Sequence, residues 1–161
     1  GDIPRSVIDK AMSIHGAPII SVNHQGDHSP FFIIHPAIGG AISKCKQLAE
    51  QFPLSQHSII LDSYNLYHLK KPFTSLNELS KHYLKSVFFL QQGGSYVLMG
   101  WSLGGLIAVE MAHEILKKGG SVKAIIMIDS NLLTKKQHHM LNLIWNDELL
   151  AGAFQDLLGV I

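Results

Sequence analysis

The stretch SYVLMGWSLGGLIAVEMAHE, residues 95–114, joins an apolar run to a segment whose apolar residues recur three and four apart. The run from Tyr96 to Met99 has strand length, and Leu103 to Leu116 has the helical period. Between them Gly100, Ser102 and Gly104 fit G-x-S-x-G at a strand-to-helix junction, the context in which that spacing carries chemistry. A serine on so sharp a turn sits in a strained backbone, and side chains two residues to either side would strike the neighbouring chain. Glycine relieves that crowding. The turn pushes the hydroxyl out at the carboxyl end of a sheet, beside a helix N-terminus whose free N–H groups and positive dipole end stabilise a developing oxyanion. The competing reading is a glycine-rich turn whose serine only caps the helix.

Outward from this stretch the same alternation continues. Apolar runs at Ile19 to Val22, Phe31 to Ile34, Ser58 to Leu61 and Ala124 to Ile128 read as strands, and Ile42 to Gln51 and Leu76 to Leu90 read as helices. Unbroken runs such as FFII, YVLM and AIIMI suit strands buried on both faces, so the fold class is α/β, a mostly parallel sheet with helices on both sides. With 161 residues, 47% of them hydrophobic, the chain suits one domain. A net charge of +1 with lysines only in short pairs builds no field for nucleic acid. No apolar run approaches the roughly 18 residues of a membrane span, and the N-terminus lacks the layout of a signal peptide. The single cysteine, Cys45, forms no intrachain disulfide framework or zinc cluster, which suits a reducing cytoplasm, and it reads as a buried small side chain.

FFIIHPAIGG, residues 31–40, is a second strand that ends in a Pro- and Gly-rich loop before a helix. Such a loop aims a backbone N–H at the nucleophile, so the oxyanion-hole candidates are the N–H groups of Ala37 and Leu103. His35 in this loop reads as a hydrogen-bonded structural histidine and not as a base. Two aspartates compete for the acid, because SIILDSYN and AIIMIDSN place Asp62 and Asp129 each at a strand end. A right-handed crossover lays the Asp129 strand beside the Ser102 strand, and the chain order Ser, Asp, His found in hydrolases of this architecture also favours Asp129. The other role for either aspartate is a turn cap.

FFIIHPAIGG, YVLMGWSLGGLIAVEMAHEI and AIIMIDS, in this order and spacing, resemble the type I thioesterase domains that end polyketide synthases and nonribosomal peptide synthetases. The resemblance covers about residues 30–130 and implies an α/β-hydrolase fold with Ser102 as nucleophile, Asp129 as acid, and Ala37 and Leu103 as oxyanion-hole positions. It implies a thioester substrate on the phosphopantetheine of an acyl or peptidyl carrier domain in the same synthase, released by hydrolysis or cyclisation without a metal or redox cofactor. A free-standing esterase or editing thioesterase and an inert hydrolase-like interaction module are the rival functions.

The resemblance also places the catalytic histidine in a loop after a late strand, about a hundred residues past the acid and beyond Ile161. Residues 1–133 then form the core and residues 134–161 the start of a helical lid. The expectations that follow are a chain cut before its histidine, poor turnover by the 161 residues alone, and self-association through an uncovered edge strand. His138 and His139 satisfy the order Ser, Asp, His but follow Asp129 too closely to fold back over the sheet. None of the ten histidines shows H-x-x-x-H or H-x-H spacing with a carboxylate, so no metal is expected.

Overall fold

A computed structural model describes residues 2–26, 28–36 and 42–130. The elements run α1 (Arg5–His15), β1 (Ile19–Val22), β2 (Phe31–Ile34), α2 (Ile42–Ala49), β3 (Ser58–Leu61), α3 (Tyr64–Tyr67), α4 (Leu76–Leu90), β4 (Ser95–Trp101), α5 (Leu103–Lys117) and β5 (Ser121–Ile128). The first three strands and α4 coincide with the residues read from the sequence, because each is an apolar segment closed at both ends by turn-forming or capping residues. At α4 the closure is a capping box: the Ser75 hydroxyl accepts from the Glu78 N–H at 3.1 Å.

The five strands form one sheet in the order β1-β3-β2-β4-β5. β1 runs antiparallel to β3, and the other three pairs are parallel. The pleat sorts the core into two layers. Phe32, Ile34, Ile59, Leu61 and Leu98 point to one face and pack with Ile8, Leu79, Tyr83, Ile107 and Met111 of α1, α4 and α5. Ile33, Ile60 and Met99 point to the other and pack with Cys45 and Ala49 of α2. Helices thus cover both faces.

β5 departs from the expected unbroken burial. As far as Ile125, which is 39% exposed, its residues alternate between exposed and half-buried, and Ile126 to Ile128 are half-buried; among the described residues it pairs only with β4. It also starts three residues before Ala124, since Ser121 and Val122 already pair with Ser95 and Tyr96. Two helices, α1 and α3, are absent from the reading of the sequence. The inward face of α1 is Ile8, Ala11 and His15, a stripe too sparse in apolar residues to stand out, and α3 is a single turn. The expected lid, residues 134–161, lies outside the described residues.

Candidate active site

Ser102 sits between the last residue of β4 and the first of α5, with φ 53° and ψ −119°. This is a conformation that a side chain adopts only at a cost of about 1–3 kcal/mol, offset by the surrounding structure. Here the offset is visible. The Ser102 N–H donates to Ile128 O at 2.8 Å, carrying the β4–β5 ladder one residue further, and Ser102 O accepts from the Gly105 N–H at 3.0 Å and from the Ser130 hydroxyl at 2.7 Å. The glycines allow the chain to close around it. A Cβ on Gly100 would strike the Gly104 carbonyl, and one on Gly104 would strike the Ile34 carbonyl oxygen and come within 2.6 Å of His35 O. The serine side chain is exposed and makes no capping bond to α5, so it is not there to cap the helix.

Leu103 opens α5, where a first-turn N–H has no acceptor within its own helix. The hydroxyl and this N–H therefore emerge together at the carboxyl end of β4. β2, on one side of β4, ends level with it, since Ile34 pairs with Gly100. β5 ends level on the other side, since Ile128 pairs with Trp101. Asp129 is thus one residue past the last ladder pair, as Ser102 is on the adjacent strand; it too has positive φ, 50°, and is exposed. Ala37 lies outside the described residues, as do His138 and His139.

Asp62 occupies a different position. β2 separates its strand from β4, and its carboxylate is taken up locally: Oδ1 accepts from the Ser63 N–H at 2.8 Å and Oδ2 from the Tyr67 hydroxyl at 3.2 Å. That is the turn-capping role. Cys45 is fully buried and its thiol is pushed up to about 11 by burial, so it is chemically quiet. Among the described residues no group of three or more His, Cys, Asp or Glu side chains gathers to hold a metal.

The histidines serve the frame of the site. His15 Nε2 donates to Asp62 O, His82 Nε2 to His15 O and His68 Nε2 to Gly16 O, each at 2.7 Å. These bonds tie α1 to the end of β3, to the end of α3 and to the middle of α4. Burial lowers the His15 pKa to about 3, with the neighbouring His35 and His82 adding to the effect, and burial also lowers those of His35 and His82. His35 is buried, bonded through Nδ1 to Pro36 O and through Nε2 to the Tyr83 hydroxyl, both at 2.8 Å. It is a structural histidine, as its place at a strand end suggested. Sequence reasoning passed over Ser130 and Tyr83. Ser130 stood in the quoted AIIMIDS motif; Tyr83 lies on the buried face of α4, where only the fold shows what its hydroxyl meets.

A mostly parallel sheet with an exposed, strained serine at a strand-to-helix turn defines an α/β-hydrolase-type domain. The sequence profile of the thioesterase domain family matches residues 29–160, and the chain belongs to that family. It is 33% identical over 112 residues, 70% of this chain and 3% of the relative, to N-(5-amino-5-carboxypentanoyl)-L-cysteinyl-D-valine synthase of Amycolatopsis lactamdurans. It is 30% identical over 156 residues to microperfuranone synthase of Emericella nidulans, covering 96% of this chain and 16% of that protein. The chain therefore spans a small fraction of the length of these curated relatives. Among solved structures, the NocB thioesterase domain in covalent complex with a fluorophosphonate nocardicin G analog is similar with a TM-score of 0.67. Identity there is 22%, over 85% of this chain and 68% of that one. Among the described residues no helix is long and apolar enough to cross a membrane.

Proposed function

We propose that this chain carries the nucleophile of a serine thioesterase that releases an acyl or peptidyl chain from the phosphopantetheine arm of a carrier domain in the same synthase. The observation that carries the reading is the backbone of Ser102, strained at φ 53° and ψ −119° yet exposed, with close-packed glycines on both sides of it. A merely structural turn gains nothing from that strain.

In the proposed reaction Ser102 Oγ attacks the thioester carbonyl carbon, and its proton passes to a histidine supplied from outside the described residues and oriented by Asp129. The oxyanion is held by the N–H groups of Leu103 and Ala37. The intermediate collapses with cleavage of the C–S bond, and the histidine returns the proton to the departing thiol. Water, or an internal hydroxyl or amine, then attacks the acyl-serine and is deprotonated by the same histidine, leaving free acid or cyclic product and regenerated Ser102. Side chains and backbone N–H groups supply every step, so this reaction calls for no cofactor. The share of the relatives that the chain covers, 3% and 16% of synthases, favours a carrier within the same polypeptide.

The test uses full-length protein and a fluorophosphonate, the reagent class named for the NocB complex. Mass spectrometry is expected to find a single adduct on Ser102, lost in Ser102→Ala, and turnover is expected to be faster with carrier-bound thioesters than with coenzyme A thioesters or oxyesters. Absence of an adduct would instead indicate an inert module, and a preference for oxyesters a free-standing esterase.

A further inference from the structure

Ser130 takes no part in the chemistry above, yet its hydroxyl closes the turn that carries the nucleophile. Oγ lies 2.7 Å from Ser102 O and 3.1 Å from Ile128 O. Both are carbonyl oxygens and only accept, so the single hydroxyl proton serves chiefly the nearer one, Ser102 O. Ile128 O already accepts from the Ser102 N–H at 2.8 Å. Ser102 is therefore held at both of its backbone groups by Ile128 and Ser130, the two residues that flank Asp129. This pair of bonds fastens the positive-φ turn of Ser102, at 53°, to that of Asp129, at 50°.

The grip has a direction. Ser102 C=O meets the Ser130 hydroxyl and, 3.0 Å away along α5, the Gly105 N–H, so both of its lone pairs are engaged. The Leu103 N–H shares one rigid peptide plane with that carbonyl and points the opposite way. It therefore leaves α5 at the end where the Ser102 hydroxyl emerges, and it forms no hydrogen bond among the described residues. Gly105 makes room for the arrangement. A Cβ there would strike Ser130 Oγ and come within 2.7 Å of Ser130 Cβ. The G-x-S-x-G spacing asks only for Gly100 and Gly104; the contact with Ser130 accounts for the glycine that follows them.

We propose that Ser130 is a positioning residue for catalysis: by holding the Ser102 carbonyl it fixes the Ser102–Leu103 peptide, so that the Leu103 N–H faces the oxyanion formed when Ser102 is acylated. The bond also polarises that peptide and makes its N–H a stronger donor, because linked hydrogen bonds reinforce one another. This rests on the reading of Ser102 as nucleophile and of Leu103 as an oxyanion donor.

The test is Ser130→Ala in the full-length protein, assayed with an acyl N-acetylcysteamine thioester. Loss of one oxyanion donor costs roughly a hundredfold to a thousandfold in kcat, and loosening it costs part of that, so kcat is expected to fall about fivefold to fiftyfold with KM within about twofold. Ser130→Thr, which keeps a hydroxyl, is expected to recover most of the loss. Affinity for a trifluoromethyl ketone, to which Ser102 adds to give a tetrahedral oxyanion, is expected to fall by the same factor as kcat. Affinity for the non-hydrolysable amide analogue of the substrate stays level. The acid limb of kcat/KM against pH, which reports the general base, stays in place. Undiminished kcat in folded Ser130→Ala, no recovery in Ser130→Thr, or a loss shared equally by ketone and amide would overturn the proposal. So would a shifted acid limb, which would place the effect in Asp129 and its histidine.

Gly105→Ala reaches the same hydroxyl from the other side and covers the case in which Ser130→Ala does not fold. Its Cβ displaces Ser130 Oγ from Ser102 O, so kcat is expected to fall by a similar factor; wild-type kcat in this variant overturns the proposal. Ser102→Ala separates the levels of failure. If it still turns over thioester, or if the wild type has no Ser102-dependent turnover, the reading of the site falls and this inference with it. If Ser102→Ala is dead while the Ser130 and Gly105 variants behave as wild type, only the positioning role is lost.

Discussion

Replacing Ser102 by glycine is expected to stabilise the protein while abolishing its activity. The backbone at φ 53° and ψ −119° burdens any residue with a Cβ, and the serine hydroxyl makes no capping bond to α5 that would be lost. The informative reference is Ser102→Ala, which removes the same hydroxyl and keeps the strained Cβ. Relief of strain is worth about 1–3 kcal/mol. The extra freedom of glycine in the unfolded chain costs roughly 0.4–1 kcal/mol. Ser102→Gly should therefore be about 0.5–2 kcal/mol more stable than Ser102→Ala, a rise of several degrees in Tm at roughly 2–4 °C per kcal/mol for a domain of this size. Urea unfolding of both variants, with equal m values, measures the difference, and thioester hydrolysis confirms that neither turns over. A glycine variant no more stable than the alanine variant would refute the idea that strain is stored at this serine, and with it the main reason for reading the turn as a nucleophile elbow.

Gly104→Ala places a Cβ against the carbonyl oxygens of Ile34 and His35, which belong to the sheet and cannot step aside; a loss of about 1–3 kcal/mol in urea unfolding, with loss of activity, is expected. Asp129→Asn should lower kcat by about four orders of magnitude if Asp129 orients the histidine, whereas Asp62→Asn should leave kcat within a few fold and cost about 1 kcal/mol of stability through its bonds to Ser63 N–H and Tyr67. The opposite pattern in a kinetic assay would exchange the two roles. Stability should also fall in acid. His15 is held neutral down to about pH 3 in the folded state, while the unfolded chain takes up its proton below about 6.5, so this contribution is complete above 6.5 and is lost as pH falls toward 3. At pH 5 the loss is about 2 kcal/mol from this residue alone, and the lowered pKa values of His35 and His82 act in the same direction. His15→Gln, which keeps an N–H to offer Asp62 O, should flatten the fall in urea midpoint between pH 7 and pH 5; an unchanged slope would show that His15 is not its source.

Much of this fold is written locally. β1, β2, β3 and α4 are legible because their apolar runs and turn residues are neighbours in the chain, and Ser102 is legible because the glycine spacing that relieves a sharp turn is also local. α1 escaped notice because a histidine completes its buried stripe, and a polar residue enters a core only when a partner is waiting. That partner, Asp62 O, lies 47 residues away.

By itself, then, the sequence determined where strands and helices form, that helices cover both faces of a sheet, and that a serine stands on a strained strand-to-helix turn. Tertiary structure alone decided that β2 separates the Asp62 strand from β4, that β1 runs antiparallel, and that Tyr83 reaches His35 across 48 residues, whereas the place of β5 beside β4 already followed from the crossover rule. The reason is the range of the forces. Periodicity and turn chemistry are settled between residues a few positions apart, whereas strand order and buried hydrogen-bond partners are settled only when distant segments compete for the same space and each buried donor must find an acceptor.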